Sequence, residues 1–433
     1  MFENKTLSEY ITEFCAQCMA QALSAVRQPS WQRSCPEFTD VDFLSLGLMR
    51  CLNSVDSGRH FLQNIDDLHE EFVPISTYFN ALKSPRRAAM LKAFEPQSYK
   101  LLDEQLQAQG VDYLKSFPEL DEYIVEAADG HFMDHACHTQ KNDKDKVYAA
   151  GFIYALNLRN GLLNPLTLVT AGTRRHQEIP MLRKLLESNN AKKPRKQKNL
   201  YVYDKAVTDY HWWDQQKVQQ NFMISVLKES STATGVETIP FDRHDEVNTG
   251  VESYDIYQTS QGIQFSLVTY RDPETEQVYR FITTLPTAIR PGCVAMLYYK
   301  RWTIEKAFNN TKSDFKERKA WSSNKHSLNN QMRLTAITYN LMRVFEELSK
   351  QQEPELIHPS DKKYAKALEK RQDVAKKKGR FVNPLLFQAR ISRISSYTIR
   401  AAQNAIVSGK SMLAFMAALV GRLLTRDEGM VEH

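Results

Sequence analysis

The sequence predicts an α/β chain, on three observations. Short apolar runs in its middle end at acidic residues, as strands do when they carry side chains to the edge of a partly buried sheet. Between residues 254 and 284, apolar and polar residues alternate with a period of two, the pattern of half-buried antiparallel strands. On either side of these stretches the apolar residues recur at spacings of three and four, as on amphipathic helices. The length of 433 residues, 42% of them hydrophobic, predicts two to four domains and a large core.

The first 115 residues read as helices, with Phe43, Leu44, Leu46, Leu48 and Met49 among the apolar positions. Pro74 to Leu82 reads as a capped helix, followed by the basic run Lys83-Ser84-Pro85-Arg86-Arg87. Residues 1–115 are therefore expected to form a helical, DNA-binding N-terminal region. Strands follow at Tyr123–Gly130, Val147–Leu158 and Leu166–Thr170, then a helix at Arg175–Glu187. After a basic linker, the strand Leu200–Tyr203 ends at Asp204, and Phe222–Leu227 forms a fifth strand. This is the element order of an RNase H-like core, its first part expected over 116–228. Two of its strands then deliver Asp129 and Asp204 to neighbouring ends of one sheet.

The alternating segments Tyr254–Tyr257, Gln264–Tyr270 and Val278–Thr284, with a turn at Arg271–Thr275, mark a β-rich insertion over 229–285. The core resumes over 286–348 with two helices, and 349–433 forms a basic, helical C-terminal region.

The most informative stretch is the helix from Tyr298 to Lys312. Ile304, Ala307, Phe308 and Thr311 form its apolar stripe. Tyr298, Arg301, Glu305 and Lys312 stand along one edge of that stripe, within roughly 60° of one another. One carboxylate thus sits among an arginine, a lysine and a phenol, half turned toward the core. A helix shaped for stability alone puts such residues on its solvated back, so this edge is expected to meet a metal ion and phosphates. A tryptophan beside a core stripe is expected in the core, so Trp302, like Trp212 and Trp213, is given no DNA role.

The chemistry follows from the residue types. Phosphodiester cleavage or transfer needs an activated hydroxyl and a neutralised leaving oxygen, which two divalent ions about 3.5–4 Å apart provide. Asp129, Asp204 and Glu305 supply hard oxygen ligands of the kind that select Mg2+ or Mn2+ over zinc. Asp129 competes with Glu126 and Asp134, and Asp204 with Asp209 and Asp214.

The spacing Tyr-x2-Arg-x3-Glu-x6-Lys, with Trp302, Ile304 and Phe308 inside it, resembles the signature of the YREK-bearing DDE transposases of bacterial insertion sequences, insertion sequence family four. The resemblance implies that Asp129, Asp204 and Glu305 match the family's acidic triad and hold two Mg2+ (or Mn2+) ions. Lys205 departs mildly from the Arg-Gly or Arg-Ala that often follows the second aspartate. The resemblance also implies that Tyr298, Arg301 and Lys312 bind DNA phosphates at a distorted transposon end. The implied activity is nicking that frees a 3′-OH, followed by strand transfer to target DNA. The implied partners are double-stranded transposon ends and target DNA, with a homodimer in the end complex. A structure-specific endonuclease of the same fold, or a silent transposase-derived DNA-binding protein, is the alternative.

Other signals are weaker. Net charge is +6 with a pI near 8.8, which permits a polyanionic partner. The basic residues concentrate at Lys192–Lys198 and from Lys362 through Lys376-Lys377-Lys378 to Arg400, as backbone contacts to DNA would require. Six scattered cysteines predict a reducing compartment, and Cys15 and Cys18 are expected to be small buried residues rather than metal ligands. His131, His135 and His138 beside Asp129 raise a zinc or iron hydrolase as a competing reading, but no second histidine–carboxylate cluster completes it. The Met1–Lys5 start lacks an apolar run, and Met412–Val420 is shorter than the ~20 residues of a membrane span. A cytoplasmic protein, nucleoid-associated when bound to DNA, is expected.

Overall fold

The computed structural model describes residues 5–26, 29–31, 37–53, 57–69, 73–133, 150–170, 182–187, 197–315, 320–351, 359–384 and 396–428. Its centre is one nine-stranded sheet of order β3-β2-β1-β4-β5-β9-β8-β7-β6. The strands are β1 Tyr123–Met133, β2 Ala150–Asn157, β3 Leu163–Thr170, β4 Lys198–Val202, β5 Asn221–Val226, β6 Thr234–Thr238, β7 Val251–Gln258, β8 Gln264–Arg271 and β9 Val278–Thr283. Strands β1, β4 and β5 run parallel, and the remaining pairings are antiparallel. The chain is mixed α/β, as its sequence predicts.

The strands of the insertion form no sheet of their own. β9 pairs with β5 at Ile224↔Thr283, so the insertion extends the central sheet. The sequence pattern does not reveal β6, and the reason is physical: all five of its residues are exposed at the sheet edge, so nothing makes them alternate.

Each sheet face carries helices. On one face, α7 (Pro291–Ser313) and α8 (Lys325–Gln351) share a core with Val125, Ala127, Leu200, Val202, Phe222 and Ile224. On the other, Leu182 and Leu186 of the helical stretch 182–187, and Trp212 and Trp213 of α6 (Tyr210–Val218), pack with Ala128, Tyr201, Tyr203 and Met223. Of the helix expected over 175–187, residues 175–181 lie outside the described residues.

Upstream lie α1 (Leu7–Ala25), α2 (Asp40–Leu52), α3 (Gly58–His69), α4 (Ile75–Lys83) and α5 (Pro85–Ala108). Downstream of α8 come α9 (Pro359–Lys377), α10 (Ser396–Val407) and α11 (Met412–Glu428). The last two return to the first, with Leu7 N–H donating to the Lys410 carbonyl at 3.2 Å and the Phe415 ring 5.5 Å from Phe345 of α8. No helix among the described residues is long and apolar enough to cross a membrane.

Several local expectations change. α4 begins at Pro74 without a side-chain cap, because proline has no side-chain acceptor. The capped helix is the next one: Ser84 accepts from Arg87 N–H and Pro85 opens the first turn. The basic run there does not face solvent as a unit. Arg86 clamps Asp40 with bonds of 2.6 and 2.8 Å, and Arg87 is buried over the rings of Phe38 and Phe43. Both guanidiniums tie α5 to the start of α2. Cys15 and Cys18 are buried free thiols, as expected, with burial pushing Cys18 up to about 12.

Candidate active site

Strand parity and register set the first two acids. Tyr123, Val125 and Ala127 face the core shared with α7, so Asp129, two residues on, projects to the same side. On β4, Leu200 and Val202 face that side, and Asp204 follows with the same parity. The parallel pairing ends at Ala127↔Val202, which leaves the two aspartates abreast two residues beyond it. Each is tethered by one oxygen. Asp129 Oδ1 accepts from Gly130 N–H at 2.8 Å, and Asp204 Oδ1 accepts from Lys205 N–H at 2.7 Å while capping the short turn Lys205–Val207.

The third acid is placed by the anchoring of α7. Arg290, just before the helix, holds Glu119 through two bonds of 2.5 and 2.9 Å and Asp245 at 3.1 Å. At the next turn, the Cys293 thiol donates to Glu119 at 2.9 Å, and Gly292 N–H donates to the Asn248 side chain at 3.0 Å. A Cβ at Gly292 would stand 1.8 Å from the Val247 carbonyl oxygen, so only glycine permits this approach. From that fixed start, Ile304, Ala307 and Phe308 are buried against the sheet and Glu305 emerges at the edge, its side chain 41% exposed.

Arg301 closes the group. Its Nη2 donates to Glu305 Oε1 at 3.0 Å, and its Nη1 lies 4.0 Å from Asp129 Oδ2. The guanidinium also lies 5.5 Å from the centre of the Tyr298 ring, which packs on Phe281. Burial is the main cause that holds the Asp129 carboxyl above its ordinary range; the negative charges of Glu305 and Asp204 add to it, while Gly130 N–H and Arg301 oppose it. The Tyr298 phenol is likewise raised, first by burial and then by Asp204 and Glu305. Asp204 and Glu305 thus both act on Asp129, and one guanidinium contacts Asp129 and Glu305.

The competing acids have other surroundings. Glu126 is odd in parity to Asp129 and opens onto a cavity of about 320 Å3 on the opposite sheet face, between Tyr201, Tyr203 and Leu186. Asp209 caps α6 by accepting from Trp212 N–H at 3.0 Å and pairs with Arg183 at 2.9 Å. Asp214 is exposed on α6, and Asp134 lies outside the described residues.

Other expected residues are placed unevenly. Lys312 is exposed on the same helix, about 10 Å along its axis from Glu305. Trp302 overturns the expectation of a core residue: it is 50% exposed. The helical wheel carried that signal, since Trp302 lies about 200° from Ile304, on the helix back. Trp212 and Trp213 are buried. His131 is buried against Phe308, while His135 and His138 lie outside the described residues. Of the basic linker, 192–196 lies outside them too, and Lys198 pairs with Glu122. Lys376, Lys377, Lys378 and Arg380 are exposed at the end of α9.

Residues 123–341, just over half of the chain, match the family model of the transposase DDE domain. The chain belongs to this family. No curated protein matches it at a significant level. The matched span includes all three acids and the helix that carries Arg301 and Lys312. DDE transposases act on DNA and generally use divalent metal ions. The donor chemistry here fits such an ion: the charges of Asp204 and Glu305 both act on Asp129, and one cation contacts two of these three hard carboxylates. Among the described residues, however, no three acidic, histidine or cysteine side chains already form a set able to hold a metal ion. Arg301 stands between two of the acids instead.

Proposed function

We propose that this transposase binds the double-stranded ends of its own insertion sequence, nicks them to free a 3′-OH and joins that end to target DNA. The observation that carries the reading is that Asp129 and Asp204, at the ends of the adjacent strands β1 and β4, are electrostatically coupled to each other and to Glu305, with Arg301 bonded to Glu305 at 3.0 Å. Asp129, Asp204 and Glu305 would hold two Mg2+ or Mn2+ ions. Such ions supply an activated attacking oxygen and a neutralised leaving oxygen.

The chain's own residues do the rest. Arg301 offers a planar fork to a phosphate, Lys312 a point charge about two turns further along the duplex-facing edge, and Tyr298 a hydroxyl donor. The strand order β3-β2-β1-β4-β5, with only β2 reversed beside β1, supports an RNase H-like core interrupted by the 229–285 insertion. The YREK spacing supports assignment to insertion sequence family four. Two copies acting on paired ends, in the bacterial cytoplasm at the nucleoid, complete the proposal.

The test is a duplex taken from the DNA that flanks the coding region, incubated with the protein and Mg2+, Mn2+, Ca2+ or excess chelator. Nicking and joining in Mg2+ or Mn2+, with binding but little cleavage in Ca2+, is the expected result. Equal cleavage in chelator would sink the proposal. Cutting without joining would make the protein an endonuclease instead.

A further inference from the structure

This inference rests on Asp129, Asp204 and Glu305 as the metal-holding acids, and concerns what Arg301 does before a metal ion arrives. The Arg301 side chain is 7% exposed, with one fork nitrogen bonded to Glu305 and the other 4.0 Å from Asp129. Its Nε is buried and has no hydrogen-bond partner among the described residues. Tyr298 lies along the guanidinium at 5.5 Å. Two physical consequences follow. A cation already neutralises the acids where a divalent ion would bind, and two cations in a half-buried site repel each other strongly. The guanidinium is also under-satisfied, since a buried N–H without an acceptor carries a desolvation cost.

A DNA phosphate offers what the acids do not. Its several oxygens can accept from the whole fork and from Nε, in the bidentate geometry that guanidinium favours. We infer that Arg301 is an exchangeable counter-ion: in the DNA-free protein it holds Glu305 and Asp129 and weakens divalent-ion binding. A phosphate of the bound duplex then draws it off the acids and opens the site. DNA and metal ion therefore bind cooperatively through one side chain. Linkage makes the effect reciprocal, so the ion tightens DNA binding by the factor by which DNA tightens the ion.

Mn2+ titration followed by electron paramagnetic resonance tests this without any turnover. The proteins are the full-length wild type, Arg301→Gln, Arg301→Lys, Glu305→Gln and Asp129→Asn, each with and without a short duplex from the flanking DNA. Free Arg301→Gln is expected to bind Mn2+ about 5–150-fold more tightly than free wild type, the usual span of a coupling between two sites. Arg301→Lys, which keeps the charge, stays weak. The duplex should tighten Mn2+ binding by wild type by a similar factor, and by Arg301→Gln much less.

Equal Mn2+ affinity of free wild type and Arg301→Gln overturns the inference. If Arg301→Gln fails to fold, as circular dichroism would report, the wild type decides: no change in Mn2+ affinity on adding the duplex overturns it as well. Failure of the underlying site assignment looks different, because Glu305→Gln and Asp129→Asn would then bind Mn2+ as well as wild type does.

Discussion

In α8 and at the ends of β1 and β4, the chain gathers charged side chains in two different ways. In α8, Arg333 meets Glu95, while Arg343 meets Glu346 at 3.2 Å and Glu347 at 3.0 Å. Glu347 also accepts from Lys350 at 2.9 Å and from the Tyr113 hydroxyl at 3.0 Å. Each acid there has its cation, and the pairs bind α8 to α5 and to the loop after it. At the ends of β1 and β4, Arg301 contacts Asp129 and Glu305 while Asp204 beside them is exposed, and burial, followed by the charges of Glu305 and Asp204, makes Asp129 hold its proton more tightly. Burial of charge occurs in both regions. An excess of one sign occurs in the second, and a fold has no structural need for that excess.

The largest test of this contrast is Glu305→Gln, which keeps size and helix propensity and removes one charge from the excess. Nicking and joining should fall by about 10²–10³-fold or more, with duplex binding retained, as gel-shift and nicking assays on the same sample would report. Parent-rate joining by folded Glu305→Gln protein would return this edge to the role of a binding surface.

The counterpart in the paired region is Arg333→Met. It strands Glu95 in the interior and should lower unfolding stability by about 3–5 kcal/mol, whereas Glu95→Leu with Arg333→Met should recover most of that loss. Denaturant melts of the three variants measure it. A double variant no better than the single one would mean that the pair does more than balance charge.

A smaller effect is expected at Glu126, which shares β1 with Asp129 but faces the other way. Burial alone pushes its carboxyl up to about 7 from an ordinary 4.5. The folded value is the higher one, so its contribution to stability is fully present below pH 4.5 and is lost as pH rises through 7. Glu126→Gln should therefore gain on wild type between about pH 4.5 and pH 8, by up to about 3 kcal/mol. Parallel stability–pH curves for the two proteins would show that Glu126 is better solvated than its cavity implies.

The smallest effect concerns the exposed cluster Lys376, Lys377, Lys378 and Arg380. Neutralising all four should weaken binding to every DNA sequence alike and flatten the salt dependence, by about 0.9 in log–log slope for each phosphate that the cluster no longer neutralises. An unchanged slope would make the cluster ordinary solvated surface.

Much of the fold and the site is legible in the chain, and unevenly so. The spacing of Tyr298, Arg301, Glu305 and Lys312 puts them on one helix edge through local geometry alone, and α7 carries them as expected. Period-two alternation locates β7, β8 and β9: β7 starts three residues before the expected segment and ends one after it, β8 runs one residue past, and β9 ends one residue short. The same wheel that groups Arg301 with Glu305 also turns Trp302 outward, although residue type argues for the core. β6 is illegible because an exposed edge strand buries nothing. Arg86 and Arg87 look like surface charge because their acceptors, Asp40 and the Phe38 carbonyl, lie more than forty residues away.

What the sequence determined by itself is therefore what depends on neighbours within two helical turns or a few strand residues: the amphipathic stripe, the strand ends and the order of elements. The meeting of the acids was decided by tertiary structure. Asp129 and Asp204 stand abreast because β1 and β4 pair in one parallel register, a choice made by hydrogen bonds between segments some seventy residues apart. Arg301 reaches Glu305 along its own helix, a four-residue step that any helix supplies. It reaches Asp129 because Gly292, which lets α7 press against the Val247 carbonyl, together with Arg290 and Cys293, fixes where that helix crosses the sheet. Long-range packing sets that crossing, and no periodicity in a single segment encodes it.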